Sequence, residues 1–588
     1  MKLDASSPLI YETKHTVLCG AKRYDEAMDV FKNMLTMIEE SNDSRISRMC
    51  FHVYVMYTSN GFIELRNDYV SPSETIAALD VIAFEILKRS PLVLIDITDG
   101  YLRDGNDRMR IFKDDPIFKE LICSMTKRVD KDKIQDIVGG FLAYVMFSHV
   151  WSRPEEGMEP LFQDVKEVES VWNLSKTLQN EKLRNFCKKA RNLHFRWAWS
   201  DTCCIDKLTN VILDQSLTSM YKWYENSAAT LILLTNVEHP SKLGDLPHCL
   251  WMTRAWTLQE LLAPKVILFY DTAWKPYLGD TNSNHKNSEV IMKELAGAIK
   301  ISSATIVAFH PEDLSVREKL RLASKRNATR EEDIAYSLIG IFKSDIKPHY
   351  GEGPDAIGHL LSEIVTRSGE VTVLDWVGKS SPYNSCLPAS LSVYSELPHS
   401  PQPLDGDGME THLLARDEVV SFYTSANALP DASFVHRRLS LPCIVFRVSS
   451  LSVLCFRGSE MIYAAEVPGL HRVEFTTAHK FHDMNESGKF VFVHPWIHHI
   501  RGPHSSPRGH EAGTSVASAV STSSSVPQVD EYTQGLQWVS RLKQRFSALL
   551  LQRQPDGKYK RVAAEHEIVV NPRITSLTDI RADTLQVL

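Results

Sequence analysis

Between residues 90 and 275, short continuously apolar runs alternate with stretches of helical spacing. The apolar runs are 92–95, 141–147, 195–199, 229–234 and 266–270. Apolar runs without alternation suit strands buried on both faces, as in a parallel sheet. Between them, Leu183, Phe186, Cys187 and Ala190 fall at i, i+3, i+4 and i+7, and Leu217, Met220, Tyr221 and Tyr224 repeat that spacing. Each set lines one face of a helix. Strand, helix, strand in repetition predicts an α/β fold with a mostly parallel sheet flanked by helices. Each strand runs into polar residues: Asp96, Ser148 and His149, Ser200 and Asp201, Thr235 and Asn236, Asp271. In a parallel sheet these would gather along the carboxyl edge, where open α/β sheets bind ligands.

The flanks read differently. In 1–88, residues 26–40 suit an amphipathic helix. Residues 50–57 and 62–65 flank Ser59-Asn60-Gly61 as a hairpin, and 72–89 suits a helix capped by Ser71 or Ser73. Residues 312–368 are helical in pattern. Ser315 with Glu318 and Thr329 with Glu332 both fit the capping box, the second opening a helix through Phe342. Pro354 suits a first helical position, with Ile357, Leu360, Leu361 and Ile364 on one face. Beyond 380, strands and turns dominate. Residues 501–528 hold eight serines and read as a linker or loop, and 547–564 read as a hairpin about Pro555-Asp556-Gly557. The expected organisation is an N-terminal α/β extension (1–88), an α/β domain (89–280, core 141–280) and a helical segment packed on it (281–378). A β-rich region (379–500), the serine-rich stretch (501–530) and a β-rich C-terminal segment (531–588) follow. No internal repeat is visible.

Composition narrows the function. The chain has 588 residues, and about 150 residues per domain gives roughly three or four domains. With 66 Lys and Arg against 73 Asp and Glu, the net charge of −7 gives no electrostatic footprint for nucleic acid. Ten cysteines, two of them the adjacent Cys203 and Cys204, suit reduced thiols and a cytoplasmic protein. No apolar run approaches the roughly 20 residues of a membrane span. Walker, GxGxxG, GxSxG, HExxH and CxxC motifs are all missing. No metal site is expected: Pro495 interrupts the run of His494, His498, His499 and His504, which read as surface residues.

Candidate chemistry concentrates in Thr253-Arg254-Ala255-Trp256-Thr257-Leu258-Gln259-Glu260-Leu261-Leu262-Ala263-Pro264. As a helix ended by Pro264, it would put Thr253, Trp256, Thr257 and Glu260 on one face and Leu258, Leu261 and Leu262 on the core side. An aromatic plane beside a carboxylate can stack a ring and stabilise positive charge developing on a sugar carbon. The plainer alternative is a solvated Glu260 beside a core Trp256. After the third strand, Asp201 and Asp206 can hold a ribose or a metal, and Cys203 or Cys204 can act as a nucleophile with His149. The alternative is packing thiols and helix-capping carboxylates.

Four segments in this order resemble the fungal heterokaryon-incompatibility (HET) domain: Tyr144-Val145-Met146-Phe147-Ser148-His149-Val150-Trp151, Trp199-Ser200-Asp201-Thr202-Cys203-Cys204-Ile205-Asp206-Lys207, Ser219-Met220-Tyr221-Lys222-Trp223-Tyr224, and the Thr253 to Pro264 segment. Residues 332–342 and 350–353 resemble what usually follows it. Gly usually stands where this chain has Ala255, and Arg where it has Val150, which removes a charge near the site. The resemblance implies an intracellular effector of non-self recognition and programmed cell death. Trp256-Thr257-Leu258-Gln259-Glu260-Leu261 is also similar to the segment carrying the catalytic Glu of NAD-cleaving Toll/interleukin-1-receptor (TIR) domains. That likeness implies a flavodoxin-like sheet, with Glu260 as the catalytic group. Trp256, Ser148, His149, Asp201 and Arg254 would bind the substrate, NAD, and no bound cofactor is implied. It further implies self-association or partner HET or TIR-like domains. The alternative implied role is a non-catalytic interaction module of the same pathway.

Overall fold

The computed structural model describes residues 8–40, 66–396, 414–457, 460–481, 484, 488–496 and 531–588. The hairpin expected at 50–65 and the serine-rich stretch lie outside the described residues. The chain forms two compact units, one of residues 1–252 with 259–309, the other of 253–258 with 310–588. No helix among the described residues is long and apolar enough to cross a membrane.

The first unit is built on a sheet of β1 (Val93–Asp96), β2 (Leu102–Asp104), β3 (Tyr144–His149), β4 (Trp197–Trp199), β5 (Ala229–Leu233) and β6 (Ile267–Tyr270). The strands lie in the order β2-β1-β4-β3-β5-β6. From β4 through β3 and β5 to β6 they are parallel. In chain order these four run 2-1-3-4, so the order reverses between β3 and β5. Helices Leu178–Asn192, Asn210–Glu225 and Thr257–Leu262 lie in the three connections. The faces predicted for the first two are buried: Leu183, Phe186, Cys187, Ala190, Leu217, Met220, Tyr221 and Tyr224. Thr177 caps the first, accepting from the Asn180 amide.

β1 departs from the parallel expectation. It runs antiparallel to β4, with Asp96 opposite Trp197. Asp96 therefore lies at the amino edge of the parallel strands, away from the other polar strand ends. There its buried carboxylate accepts from Arg196 Nε at 3.0 Å and Nη2 at 2.8 Å. The cause is local. Residues 97–101 turn tightly back into β2, with the Gly100 amide donating to the Asp96 carbonyl at 2.7 Å, so β1 is half of a hairpin rather than part of a crossover unit.

Ahead of β3, helices Pro8–Gly20, Tyr24–Glu40, Pro72–Lys88, Gly105–Asp114, Pro116–Cys123 and Lys131–Phe141 pack through small apolar clusters. Ser71 and Glu74 form the reciprocal capping box that opens Pro72–Lys88.

In the second unit, Ser315 and Glu318 form the expected box at the start of Val316–Ala323. The helix expected to open at Thr329 is instead two short pieces, Asp333–Tyr336 and Ile339–Phe342. The Thr329 hydroxyl accepts from Arg254 and is not used as a cap. Pro354 is the N-cap of Asp355–Ser368 rather than its first residue. The β-rich part pairs Arg438–Arg447, Phe490–Pro495, Leu549–Arg553, Tyr559–Arg561 and Ile580–Val587 in a ring that returns to its first strand. The ring closes through one residue pair, Tyr559 opposite Val587. Phe446, Phe492, Leu550 and Tyr463 are among its core residues. His494, expected at the surface, stacks its ring on Phe546 at 4.2 Å, and burial lowers its pKa to about 4.

Gly100 has φ +83°, and a Cβ there would lie 2.2 Å from Ser170 Oγ and 2.5 Å from Trp172 Cδ1. Gly100→Ala is expected to destabilise the protein by about 2–4 kcal/mol. A urea titration followed by tryptophan fluorescence measures the loss; an unchanged midpoint would contradict this account of the turn.

Candidate functional site

Ser148 is the penultimate residue of β3, the strand at which the order of the parallel set reverses. Its hydroxyl, one part in a hundred exposed, donates to Glu260 Oε2. The Trp251 indole donates to the same Ser148 oxygen at 2.7 Å. The Tyr224 hydroxyl donates to the Phe147 carbonyl at 3.4 Å, and the nearby negative charge of Glu260 adds to burial in raising the Tyr224 pKa well above its ordinary value. Glu260 is 7% exposed. A strand end, the Asn210–Glu225 helix and the Thr257–Leu262 helix thus meet at one carboxylate. The last helix is buried all round: Leu258, Leu261 and Leu262 are core as expected, but Thr257, Gln259 and Glu260 are buried too. The solvated Glu260 of the plainer alternative is not found, since the residue is buried.

A second cluster follows on the same edge. The His149 ring stacks on Phe147 at 4.1 Å, and both its nitrogens are buried without a hydrogen-bond partner. Its Nε2 lies 4.0 Å from Glu159 Oε1. Glu159 accepts from Lys182 and, at 2.9 Å, from the Ser152 amide. Asp201 accepts from the Trp151 indole at 2.7 Å. Lys207 lies over the Trp151 ring at 3.8 Å from its centroid, its ammonium buried without a hydrogen-bond partner. Burial raises the Asp201 pKa against the opposing effects of Lys207 and the indole. Burial lowers that of Lys207 against Asp201. Burial, then Lys182 and Lys207, holds His149 well below its ordinary value.

Of the residues marked in the sequence, Ser148 and Glu260 are in direct contact, and His149 and Asp201 line the same edge. Arg254 and Trp256 belong to the second unit. Both precede the helix, which begins at Thr257. Arg254 pairs with Asn327 through its backbone and with Thr329 through its guanidinium. The Trp256 side chain bonds Asp333. Cys203 and Cys204 are buried, and the Cys203 thiol is pushed well above its ordinary pKa by its bond with Cys204 and by burial. A thiol held protonated is a poor nucleophile. Asp206 accepts from the Leu208 amide and the Thr209 hydroxyl, a turn role. The sequence reading missed Trp251, Glu159, Lys182 and Lys207 as parts of the site. Tyr224 carried a signal only as a face residue of its helix.

Residues 144–248 match the model of the heterokaryon incompatibility protein (HET) family. The chain carries a HET domain. Over 228 residues it is 34% identical to the vegetative incompatibility protein HET-E-1 of Podospora anserina. That match takes in 37% of this chain and 16% of HET-E-1, so the chain covers about a sixth of that relative's length. No solved structure matches the chain. The HET match opens with β3 and contains Ser148, His149, Asp201 and Tyr224; Trp251 and Glu260 follow it.

Acid sensitivity follows from His149. Its folded pKa lies well below 6.5, so the unfolded chain takes up the proton first as pH falls. The stability this group contributes is present above pH 6.5 and is lost as pH drops below it. His149→Leu is expected to reduce the acid-side slope of unfolding free energy by up to about 1.4 kcal/mol per pH unit. Burial also lowers His15 and His285, which keep part of the slope. Denaturation at pH 7, 6 and 5 checks this; an unchanged slope would contradict it.

Proposed function

We propose that this HET-domain protein is a cytoplasmic effector of fungal non-self recognition and cell death. Its α/β sheet is read as TIR-like, with NAD as substrate and Glu260 as catalytic group. The observation that carries the reading is the Ser148–Glu260 pair at the carboxyl edge beside the reversal of strand order, the place where doubly wound sheets take ligands. In the reaction the bond between nicotinamide nitrogen and ribose C1′ breaks, and the electron pair leaves with nicotinamide. The Glu260 carboxylate stabilises the oxocarbenium-like ribose, and water attacks C1′, giving ADP-ribose and one proton. Ser148, His149 and Asp201 are read as lining residues, with Lys182 and Lys207 supplying positive charge for a pyrophosphate. Self-association, or association with other HET or TIR-like domains, would free the Glu260 carboxylate from Ser148.

A second reading is a non-catalytic interaction module. The observation favouring it is the 7% exposure of Glu260 together with its bond to the Ser148 hydroxyl, which suit a structural carboxylate.

NAD consumption by the full chain clustered on a multivalent support separates the two. The enzyme reading expects nicotinamide release that Glu260→Gln lowers at least a hundredfold while circular dichroism stays unchanged. No release from the folded, clustered parent would overturn it in favour of the module.

A further inference from the structure

The helical layer ahead of β3 holds a set of side chains that the proposed function does not use. His15 and Cys19 lie four residues apart on Pro8–Gly20, hence on one face. Cys123 is the last residue of Pro116–Cys123. Among the described residues this is the one group of three metal-ligating side chains whose ligand atoms all lie within 4.8 Å of one another. Cys19 Sγ is 3.5 Å from His15 Nε2. Zinc held at about 2.3 Å by sulfur and about 2.0 Å by nitrogen in a tetrahedron places those two atoms roughly 3.5 Å apart. His15 and Cys123 are buried, and Cys19 is partly exposed.

We propose that His15, Cys19 and Cys123 bind a thiophilic transition-metal ion of the zinc class, with the fourth position open on the Cys19 side. The donor set decides the class. Two thiolates and an imidazole are soft or borderline ligands, which suit zinc and disfavour magnesium or calcium. The imidazole is ready to bind, since burial keeps His15 neutral at ordinary pH. Both thiols are held protonated by burial, Cys123 up to about 12. On binding, the two S–H bonds break, two metal–sulfur bonds form, and both protons leave to solvent. Three protein ligands leave the fourth position to water, unlike the four-ligand set of closed structural zinc.

The physical consequence is a clamp. The apolar cluster around this point is small, with Leu18, Ala27 and Cys123 at its centre. A metal there would tie the first helix to one about a hundred residues later in the chain. The ligands are too far apart in sequence to show as a spaced motif.

The test uses the full chain purified in reductant without chelator. Metal content by mass spectrometry is expected to show one zinc per chain. Replacing it with cobalt(II) is expected to give an intense thiolate-to-cobalt absorption band. Cys123→Ala and His15→Phe should lose both signals. His15→Cys should keep the metal and strengthen the band, and Cys455→Ser, at an exposed thiol of the second unit, should change neither. Folded parent protein without metal or band would overturn the proposal. So would metal retained in Cys123→Ala, or a mass two hydrogens lighter, showing Cys19 and Cys123 oxidised to a disulfide.

Discussion

A carboxylate removed from water has to be met by donors, because an unpaired buried charge costs several kcal/mol. Glu260 is met by the Ser148 hydroxyl, with Tyr224 beside it, and Trp251 closes the arrangement by donating to Ser148. These partners come from a strand end, a long helix and a 3-10 turn. Register fixes them. β3 pairs with β5 so that Ser148 lies opposite Ile232, and with β4 so that Met146 lies opposite Trp199. A slip of one residue in β3 would turn Ser148 away from Glu260. The geometry at this edge of the sheet follows from satisfying one charge.

The same arrangement bears on function in two ways. It preorganises a carboxylate where ligands meet doubly wound sheets, and it holds that carboxylate closed. Beside it, the cluster of His149, Glu159, Lys182, Asp201 and Lys207 keeps buried polar atoms unpaired, a cost that a folded domain seldom bears without a use. Under the proposed function, a closed site beside buried polar atoms without hydrogen-bond partners suits an effector held silent until assembly. It suits a static module less well, since an interaction surface gains nothing from a buried ammonium.

Much of this is legible in the sequence. The four parallel strands show as unbroken apolar runs, and the helix faces from Leu183 and Leu217 onward show as 3.6-residue spacing. Ser148, His149, Asp201 and Glu260 follow from strand ends and motif. Other features are not legible because tertiary contacts decide them. The direction of β1 depends on the hairpin at Gly100. The Thr257–Leu262 helix starts later than its spacing suggests because residues 253–255 pair with Asn327. Trp251 meets Ser148 across 103 positions of chain. His494 stacks on Phe546, which belongs to a separate short strand paired with Val569–Val570, and no local pattern encodes that contact.

The most direct test of the central claim is a double-mutant cycle between Ser148→Ala and Glu260→Ala, read as unfolding free energy at pH 7. A buried, charge-assisted hydrogen bond predicts a coupling of about 1.5–3 kcal/mol. Losses that add to within about 0.5 kcal/mol would contradict the account and leave Glu260 without the interaction on which the site is built.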